Sequence, residues 1–376
     1  MEPVPRSPGG PNQHATVSTE TRRSPTVKEV AARAGVGVGT VSRVLNDHPA
    51  VTGATRARVR EAMEALDFRP NRAARALSRQ RSGAIAVVVP FFTHPSSVER
   101  LRGVLSVIDE PVAEIVLLSV DHAKPGRERL EQLLGRDMAD GLLILSLRLL
   151  PAEARRIKQQ VIPTVAIDAE IDHVPAVVID DVEGGRLAAR HLIELGHHRI
   201  AYVGDAVEPK FGTTSSVRRL RGLTEELDAA GLGLDPELVQ IGPHSADAAR
   251  HLAAELLGRR QRPTAVFAHS DTQALGVLEA ARDLGVHVPR DLSVIGFDDI
   301  ESARHAGLTT VRQPLYESGR RGGGLLLESM QGAIPPDPTR IELPLETVVR
   351  RTTAPPRTRA RRSPERALRP MTPSSG

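Results

Sequence analysis

The sequence predicts a mainly α/β protein: a small all-α helix-turn-helix headpiece followed by a larger two-lobed core of parallel sheets. Two observations predict it. Between Val27 and Asn46 two apolar helical stripes flank a glycine. From Gly83 onward, β-branched runs alternate with helical segments in two successive sets. A chain of 376 residues suits two or three domains and has ample apolar content for a core.

Residues 1–25 are rich in Pro, Ser, Gly and Thr without apolar periodicity, so a disordered N-terminal extension is expected. In VKEVAARAGVGVGTVSRVLN (27–46), Val27, Val30, Ala31 and Ala34 share one helix face and Val36 lies in the turn. Val41, Val44 and Leu45 share a second face, which places a second helix from about Gly37 to Leu45. Thr26 is positioned to cap the first helix with Glu29 at the capping-box position, and Gly35 stands where a left-handed turn residue is needed. A third helix, Thr55–Leu66, offers Val59, Ala62, Met63 and Leu66 to the pair.

In the core, Ile85–Pro90, Ile115–Val120, Gly141–Ser146, Pro163–Asp168 and Ala176–Asp180 read as strands bounded by Pro, Gly or Asp. Helical spacing fills Val98–Ile108, Arg127–Leu134 and Ala152–Gln160, and the helix Val182–Gly196 closes this set. The second set has strands Arg199–Gly204, Leu238–Gly242, Thr264–His269 and Leu292–Phe297, with helices Val217–Ala230, Ala246–Leu257 and Thr272–Leu284. Two such sets imply two lobes, with ligands held beyond the carboxyl ends of the strands. Leu308–Gln313 and Ile341–Arg350 read as extended segments able to cross between lobes.

Formal charge is only +4, from 50 Lys and Arg against 46 Asp and Glu, but its distribution is uneven. Between Lys28 and Arg81 arginines dominate, opposed only by Glu29, Asp47, Glu61, Glu64 and Asp67, an excess that suits phosphate neutralisation. The absence of cysteine excludes disulfides, thiolate metal sites and cysteine nucleophiles. No basic-then-apolar leader opens the chain, and no apolar run reaches the roughly 18 residues of a membrane span, so a soluble cytoplasmic protein is expected.

The run TVKEVAARAGVGVGTVSRVLN (26–46), followed by VTGATRARVREAMEALDFRPN (51–71), resembles the headpiece of the LacI/GalR (lactose-repressor) family. The resemblance continues to Pro356 through HLIELGHHRIAYVGD (191–205), RRLRGL (218–223), AHSDTQALG (268–276), SVIGFDD (293–299), TTVRQP (309–314) and ETVVRRTTAPP (346–356). It implies a sequence-specific DNA-binding transcriptional regulator, a repressor, that grips a pseudo-palindromic operator as a homodimer and answers to a sugar-like small-molecule effector. No enzymatic activity, cofactor, metal or membrane partner is implied, and the place of action is the cytoplasm, on the nucleoid. The implied division is a headpiece at 26–69, a hinge helix or linker at 70–82, a periplasmic-binding-protein-like effector and dimerisation domain at 83–353, and a disordered basic tail at 354–376.

By the same resemblance the second helix enters the major groove, with Val38, Gly39 and Arg43 facing bases and Thr40, Ser42 and Asn46 mostly on phosphates. Thr26 joins the DNA-binding set. Arg43 is the best candidate for direct readout, since a guanidinium donates bidentately to guanine; a phosphate contact is the alternative. Asn71, Arg72, Ala73 and Ala74 precede Leu77, the residue that would wedge into the central minor-groove step, unless it is an ordinary linker residue. Gly37 departs from the usual serine, and Gly39 has no side chain with which to read a base.

For the effector, Asp168, Arg219 and Asp271 match family residues that bind ligand hydroxyls, and Phe91, Phe92 and Ser96 follow the first strand, where family members contact the ligand. Carboxylates accept from hydroxyls and Arg donates in a fixed fork. Asp271 could alternatively cap the helix that begins at Thr272, one of the two phenylalanines is expected in the core, and Phe211 is a weaker candidate. The segment PFFTHPSSVERLRG departs from the common Asn-Pro-Phe-Phe form.

Competing readings find less support. GVGVG at 35–39 has no strand before it, which argues against a dinucleotide loop. Asp180–Asp181 and Asp298–Asp299 alternate faces in an extended chain, and His197 and His198 read as a surface turn without partners at ligand spacing. A sugar-binding transport receptor would carry an export signal and lack residues 26–82. An α/β enzyme would be expected to show a phosphate loop, a nucleophile elbow or a metal cluster.

Overall fold

The computed structural model describes residues 25–45, 48–68, 82–108, 113–120, 139–159, 162–206, 215–333 and 339–357. The chain divides into two compact units, residues 1–80 and 81–376. The terminal segments 1–24 and 358–376, the helix expected at Arg127–Leu134, and Asn46, Asn71, Arg72, Ala73, Ala74, Leu77 and Phe211 lie outside the described residues.

Among the described residues the first unit contains three helices, α1 (Val27–Ala34), α2 (Val38–Leu45) and α3 (Gly53–Ala65). Thr26 caps α1 in a complete capping box: its hydroxyl accepts from the Glu29 amide while the Glu29 carboxylate accepts from the Thr26 backbone. Gly35 closes the helix at φ 62°, a left-handed conformation that glycine enters without a Cβ penalty. Val30, Ala31, Ala34, Val41, Val44, Val59, Ala62 and Phe68 form one buried core. The helices are thus held by the apolar stripes rather than by their own short length.

The second unit opens with β1 (Ala84–Val89), α4 (Pro95–Leu105), β2 (Glu114–Ser119), β3 (Gly141–Leu145), α5 (Pro151–Gln159), β4 (Thr164–Ile167), β5 (Ala176–Val178) and α6 (Asp181–Glu194). It continues with β6 (Ile200–Asp205), α7 (Ser215–Ala229), β7 (Val239–Gly242), α8 (Ala246–Leu257), β8 (Ala265–Ala268), α9 (Asp271–Asp283), β9 (Ser293–Asp298) and α10 (Glu301–Ala306). Last come β10 (Thr309–Arg312), α11 (Leu315–Met330), β11 (Arg340–Glu342) and β12 (Glu346–Val348).

Two six-stranded sheets result, in the orders β11-β5-β4-β3-β1-β2 and β12-β10-β9-β8-β6-β7. Among the described residues every pairing is parallel except β10 with β12. The chain crosses between lobes where the extended segments were expected: β10 and β12 belong to the second sheet, while β11 adds to the first beside β5. All six residues of β1 and all five of β3 are buried, as strands covered on both faces require. Each fully buried Val or Ile there contributes about 1.5–3 kcal/mol over its exposed state.

Packing explains Gly322 and Gly323, which lie within α11. α11 returns to lie on α4 and β4 of the first lobe, and a Cβ on Gly322 would collide with the Ile167 side chain, one on Gly323 with Val107. Gly103 and Gly319 face each other's helix backbone in the same contact: a Cβ on the first would strike the Tyr316 carbonyl and one on the second the Arg100 carbonyl. His197 differs from expectation. It is buried rather than in a surface turn, because its ring bridges Thr264, Ser293 and the carbonyl of Ala354.

Candidate functional site

On the headpiece, α2 begins without a side-chain cap. The carbonyl of Gly37 accepts from the amides of Thr40 and Val41 at 2.9 and 3.2 Å, but glycine has no oxygen to offer the first-turn amides. Val38 is 46% exposed, Gly39 and Arg43 are exposed, and Thr40 and Ser42 are half-buried, whereas Val41 and Val44 point into the core. α2 therefore presents a polar outer face with one apolar residue. Thr26 differs in kind: its hydroxyl is engaged by Glu29 in the cap.

In the second unit, side chains converge at the carboxyl ends of the strands. Phe91, Ser146 and Asp168 follow β1, β3 and β4 with φ of 53°, 47° and 54°, and Asp298 and Asp299 at the end of β9 have φ of 119° and 63°. Five non-glycine residues in this sparsely populated region mark strained backbone, of the sort found at ligand clamps. Asp168 accepts from the Ser146 hydroxyl at 2.8 Å and pairs with Arg100 Nη2 at 2.8 Å. The same nitrogen donates to Gln313 Oε1, and the Gln313 amide donates to Asp298. Arg100 Nε is buried without a partner among the described residues. Ser146, Asp168 and Asp181 border a cavity of about 400 Å³ whose other wall includes Ser215 and Arg218 of α7.

Arg219 lies deeper, almost wholly buried. It donates to Asp181 Oδ1 at 2.9 Å and to the His269 carbonyl at 2.7 Å, with its guanidinium carbon 3.5 Å from the centre of the Phe297 ring. Burial works against its charge, but the carboxylates of Asp181, Asp298 and Asp168 outweigh burial and hold the guanidinium above its ordinary range. Asp271 is 0% exposed. Its oxygens accept from the Ile300 amide at 3.0 Å and the Thr310 hydroxyl at 2.6 Å, while Ser270, not Asp271, caps α9. Burial, then Asp298, push the Asp271 carboxyl well above the usual carboxylate range.

Of the two phenylalanines, Phe91 packs against the first-lobe core and Phe92 is 41% exposed. Ser96 is half-buried in the first turn of α4. The structure thus brings Asp168 and Arg219 into one polar region, while Asp271 sits behind it and the Phe91–Ser96 stretch flanks it.

Several residues were not singled out from sequence. Ser146, Asp205 and His269 lie at or immediately after strand ends, as Asp168 does, and Asp298, read from sequence only as one of a pair on alternating faces, ends β9. Arg100 lies inside α4 and Gln273 inside α9, where no such signal operates. Across the cleft His94 stacks on His244 with ring centres 4.5 Å apart, and His244 and His269 both reach Asp205.

Comparison with known proteins adds to this geometry. The profile of bacterial regulatory proteins of the lacI family matches residues 26–71, and that of a periplasmic binding protein-like domain matches residues 189–353. The HTH-type transcriptional regulator CelR of Thermobifida fusca is 36% identical over 346 residues, which cover 88% of this chain and 99% of that protein. A solved complex of the transcriptional regulator CelR with cellobiose superposes with a TM-score of 0.64 at 34% identity, covering 87% of this chain and 99% of that one. The Lac repressor dimer bound to operator and the anti-inducer ONPF gives a TM-score of 0.75 at 27% identity, covering 88% of this chain and 100% of that one.

Proposed function

The chain belongs to the LacI family of bacterial transcriptional regulators, and from that premise we propose that it is a repressor whose grip on DNA is set by a sugar-like effector between the two lobes. DNA binding through the helix-turn-helix and allosteric control by the larger unit follow from the family. The finer assignments are ours. Two chains bind a pseudo-palindromic operator, as the Lac repressor dimer binds its own. Residues 26–69 form the headpiece, 70–82 the hinge, and 83–353 the sensor. Val38, Gly39 and Arg43 face bases, Thr40, Ser42 and Asn46 face phosphates, and Leu77 wedges into the minor groove behind Asn71, Arg72 and Ala74. A regulator that works on DNA in this way acts in the cytoplasm.

One observation carries the effector reading: the polar chain Asp168–Arg100–Gln313–Asp298 runs between the strand ends of the two lobes. A polyhydroxylated ligand offers donors to Asp168 and acceptors to Arg100, and so competes with the contact that ties one lobe to the other. CelR binds cellobiose in its solved complex, which supports the same class of ligand here. Ligand affinity that differs between lobe arrangements shifts the balance between them, and a coupling of about 1–3 kcal/mol to DNA binding is the expected size.

The test is a selection. Purified full-length protein is mixed with fragmented genomic DNA and bulk competitor at moderate salt, and retained fragments are sequenced. A shared pseudo-palindrome is the expected result; retention in proportion to genomic abundance would refute DNA recognition by this chain.

A further inference from the structure

We propose that Asp205, His244 and His269 form a binding site for one divalent transition-metal ion of borderline softness, such as Zn²⁺. The proposal goes beyond the effector reading and rests on a different set of side chains.

Topology assembles the three residues. In the second sheet the order is β7-β6-β8, so the carboxyl end of β6 lies between those of β7 and β8. Asp205 ends β6, His244 stands two residues past β7 and His269 immediately follows β8. This is the switch point of a parallel sheet, where chain connections diverge and leave a crevice. The Asp205 Oδ2 atom is 2.8 Å from His244 Nδ1 and 3.1 Å from His269 Nε2, and one donor atom from each residue lies within 4.8 Å of the others. A tetrahedral ion with bonds of about 2.0–2.2 Å separates its ligand atoms by about 3.3–3.6 Å. The Asp205 oxygen therefore needs to move away from the two ring nitrogens by less than about 1 Å.

The donor set selects the ion. Two imidazoles and one carboxylate suit Zn²⁺ and its neighbours, whereas Mg²⁺ favours oxygen ligands and retains its water. Three protein ligands leave a fourth position for water or a ligand hydroxyl. Gln273 has the character of an outer partner: its amide donates to the other Asp205 oxygen, Oδ1, at 2.8 Å and fixes the carboxylate, as metal sites require of the residues behind their ligands. Its own carbonyl oxygen is buried without a partner among the described residues, a free acceptor beside the cluster.

His94 covers His244 from the first lobe. One contact opposes binding. An ion on His269 Nε2 moves the ring proton to Nδ1, which faces Arg219 Nη1 at 3.4 Å. That is longer than Arg219's hydrogen bonds to Asp181 and the His269 carbonyl, which are unaffected.

Full-length protein stripped with a chelator is titrated with Zn²⁺ by calorimetry, with Co²⁺ absorption as a second probe and Mg²⁺ as control. The expected result is one Zn²⁺ per chain, a Co²⁺ spectrum of a four-coordinate N/O site, and no response to Mg²⁺. His244→Ala and Asp205→Asn should each lose at least tenfold in Zn²⁺ affinity, and Gln273→Ala roughly tenfold through loss of the outer partner. Circular dichroism and melting of each variant control for folding, and because His244 is partly exposed, His244→Ala alone decides if a deeper variant unfolds. No Zn²⁺ uptake by wild type, or equal uptake by wild type and folded His244→Ala, overturns the proposal.

Discussion

Arg100 and Gln313 are 213 residues apart in sequence, yet the Arg100 guanidinium lies 2.9 Å from the Gln313 side-chain oxygen. Arg100 belongs to α4 of the first lobe, while Gln313 follows β10 of the second sheet. The same guanidinium nitrogen holds Asp168, whose side chain keeps 20% exposure against 4% for Arg100. Breaking a buried pair by removing one partner costs about 3–5 kcal/mol, and the residual exposure of Asp168 places this case at about 3 kcal/mol or somewhat below. Arg100→Met should lower stability by that amount in urea unfolding of the full chain and abolish the response of DNA binding to sugars. Arg100→Lys keeps the charge without the fork and should recover part of the stability but little of the response. An unchanged midpoint for Arg100→Met would show that this contact does not support the core.

The contact between α4 and α11 depends on hydrogen in place of a side chain. A Cβ on Gly319 meets the Arg100 backbone, so Gly319→Ala should destabilise by about 1–3 kcal/mol through forced separation of the helices. Gly324, on the same helix, faces open space, and Gly324→Ala should instead stabilise by up to about 1 kcal/mol from helix propensity. Opposite shifts in melting temperature are the expected outcome, and shifts of one sign would refute the packing argument.

In the headpiece a similar argument applies to α2. Positions 37 and 39 both have open space where a Cβ would stand. Gly37→Ser supplies the missing cap and should add a few tenths of a kcal/mol. Gly39→Ala should add up to about 1 kcal/mol. Thermal unfolding of the headpiece transition measures both; a fall in stability for either variant would mean that these positions are more crowded than the fold indicates.

Arg43 is exposed on α2 beside the core residue Val44. Arg43→Ala should weaken binding to the selected operator by about 1–3 kcal/mol per half-site, the worth of a bidentate base contact, and leave affinity for random DNA nearly unchanged. Equal losses on both DNAs would identify Arg43 as a phosphate contact instead.

The two-lobed α/β architecture was legible because strand periodicity, bounded by Pro, Gly and Asp, survives in local sequence. The headpiece helices were legible for a further reason: Thr26, Glu29 and Gly35 each carry a local signal that the backbone obeys. Asp168 was selected from a strand end, and the same rule applied without preference would have found Ser146, Asp205 and His269. Arg100 and Gln273 were not legible, since a polar residue inside an amphipathic helix looks solvated until its tertiary neighbours are known. His197 was misread for the same reason: the three groups that bury its ring come from positions 264, 293 and 354. The glycines of α11 lower helix propensity, a local penalty offset by the close approach that Gly319 and Gly323 allow to α4.

The most direct measurement is a linkage experiment. The operator dissociation constant of the full-length protein is determined alone and with each of a panel of mono- and disaccharides at saturation, and the affinity of any active sugar is then measured with and without operator. A regulator whose cleft occupancy biases its hold on DNA gives a change of about 5- to 150-fold with at least one sugar, and the same factor in the reciprocal measurement. An operator affinity that stays constant while a sugar demonstrably fills the cleft would contradict the account.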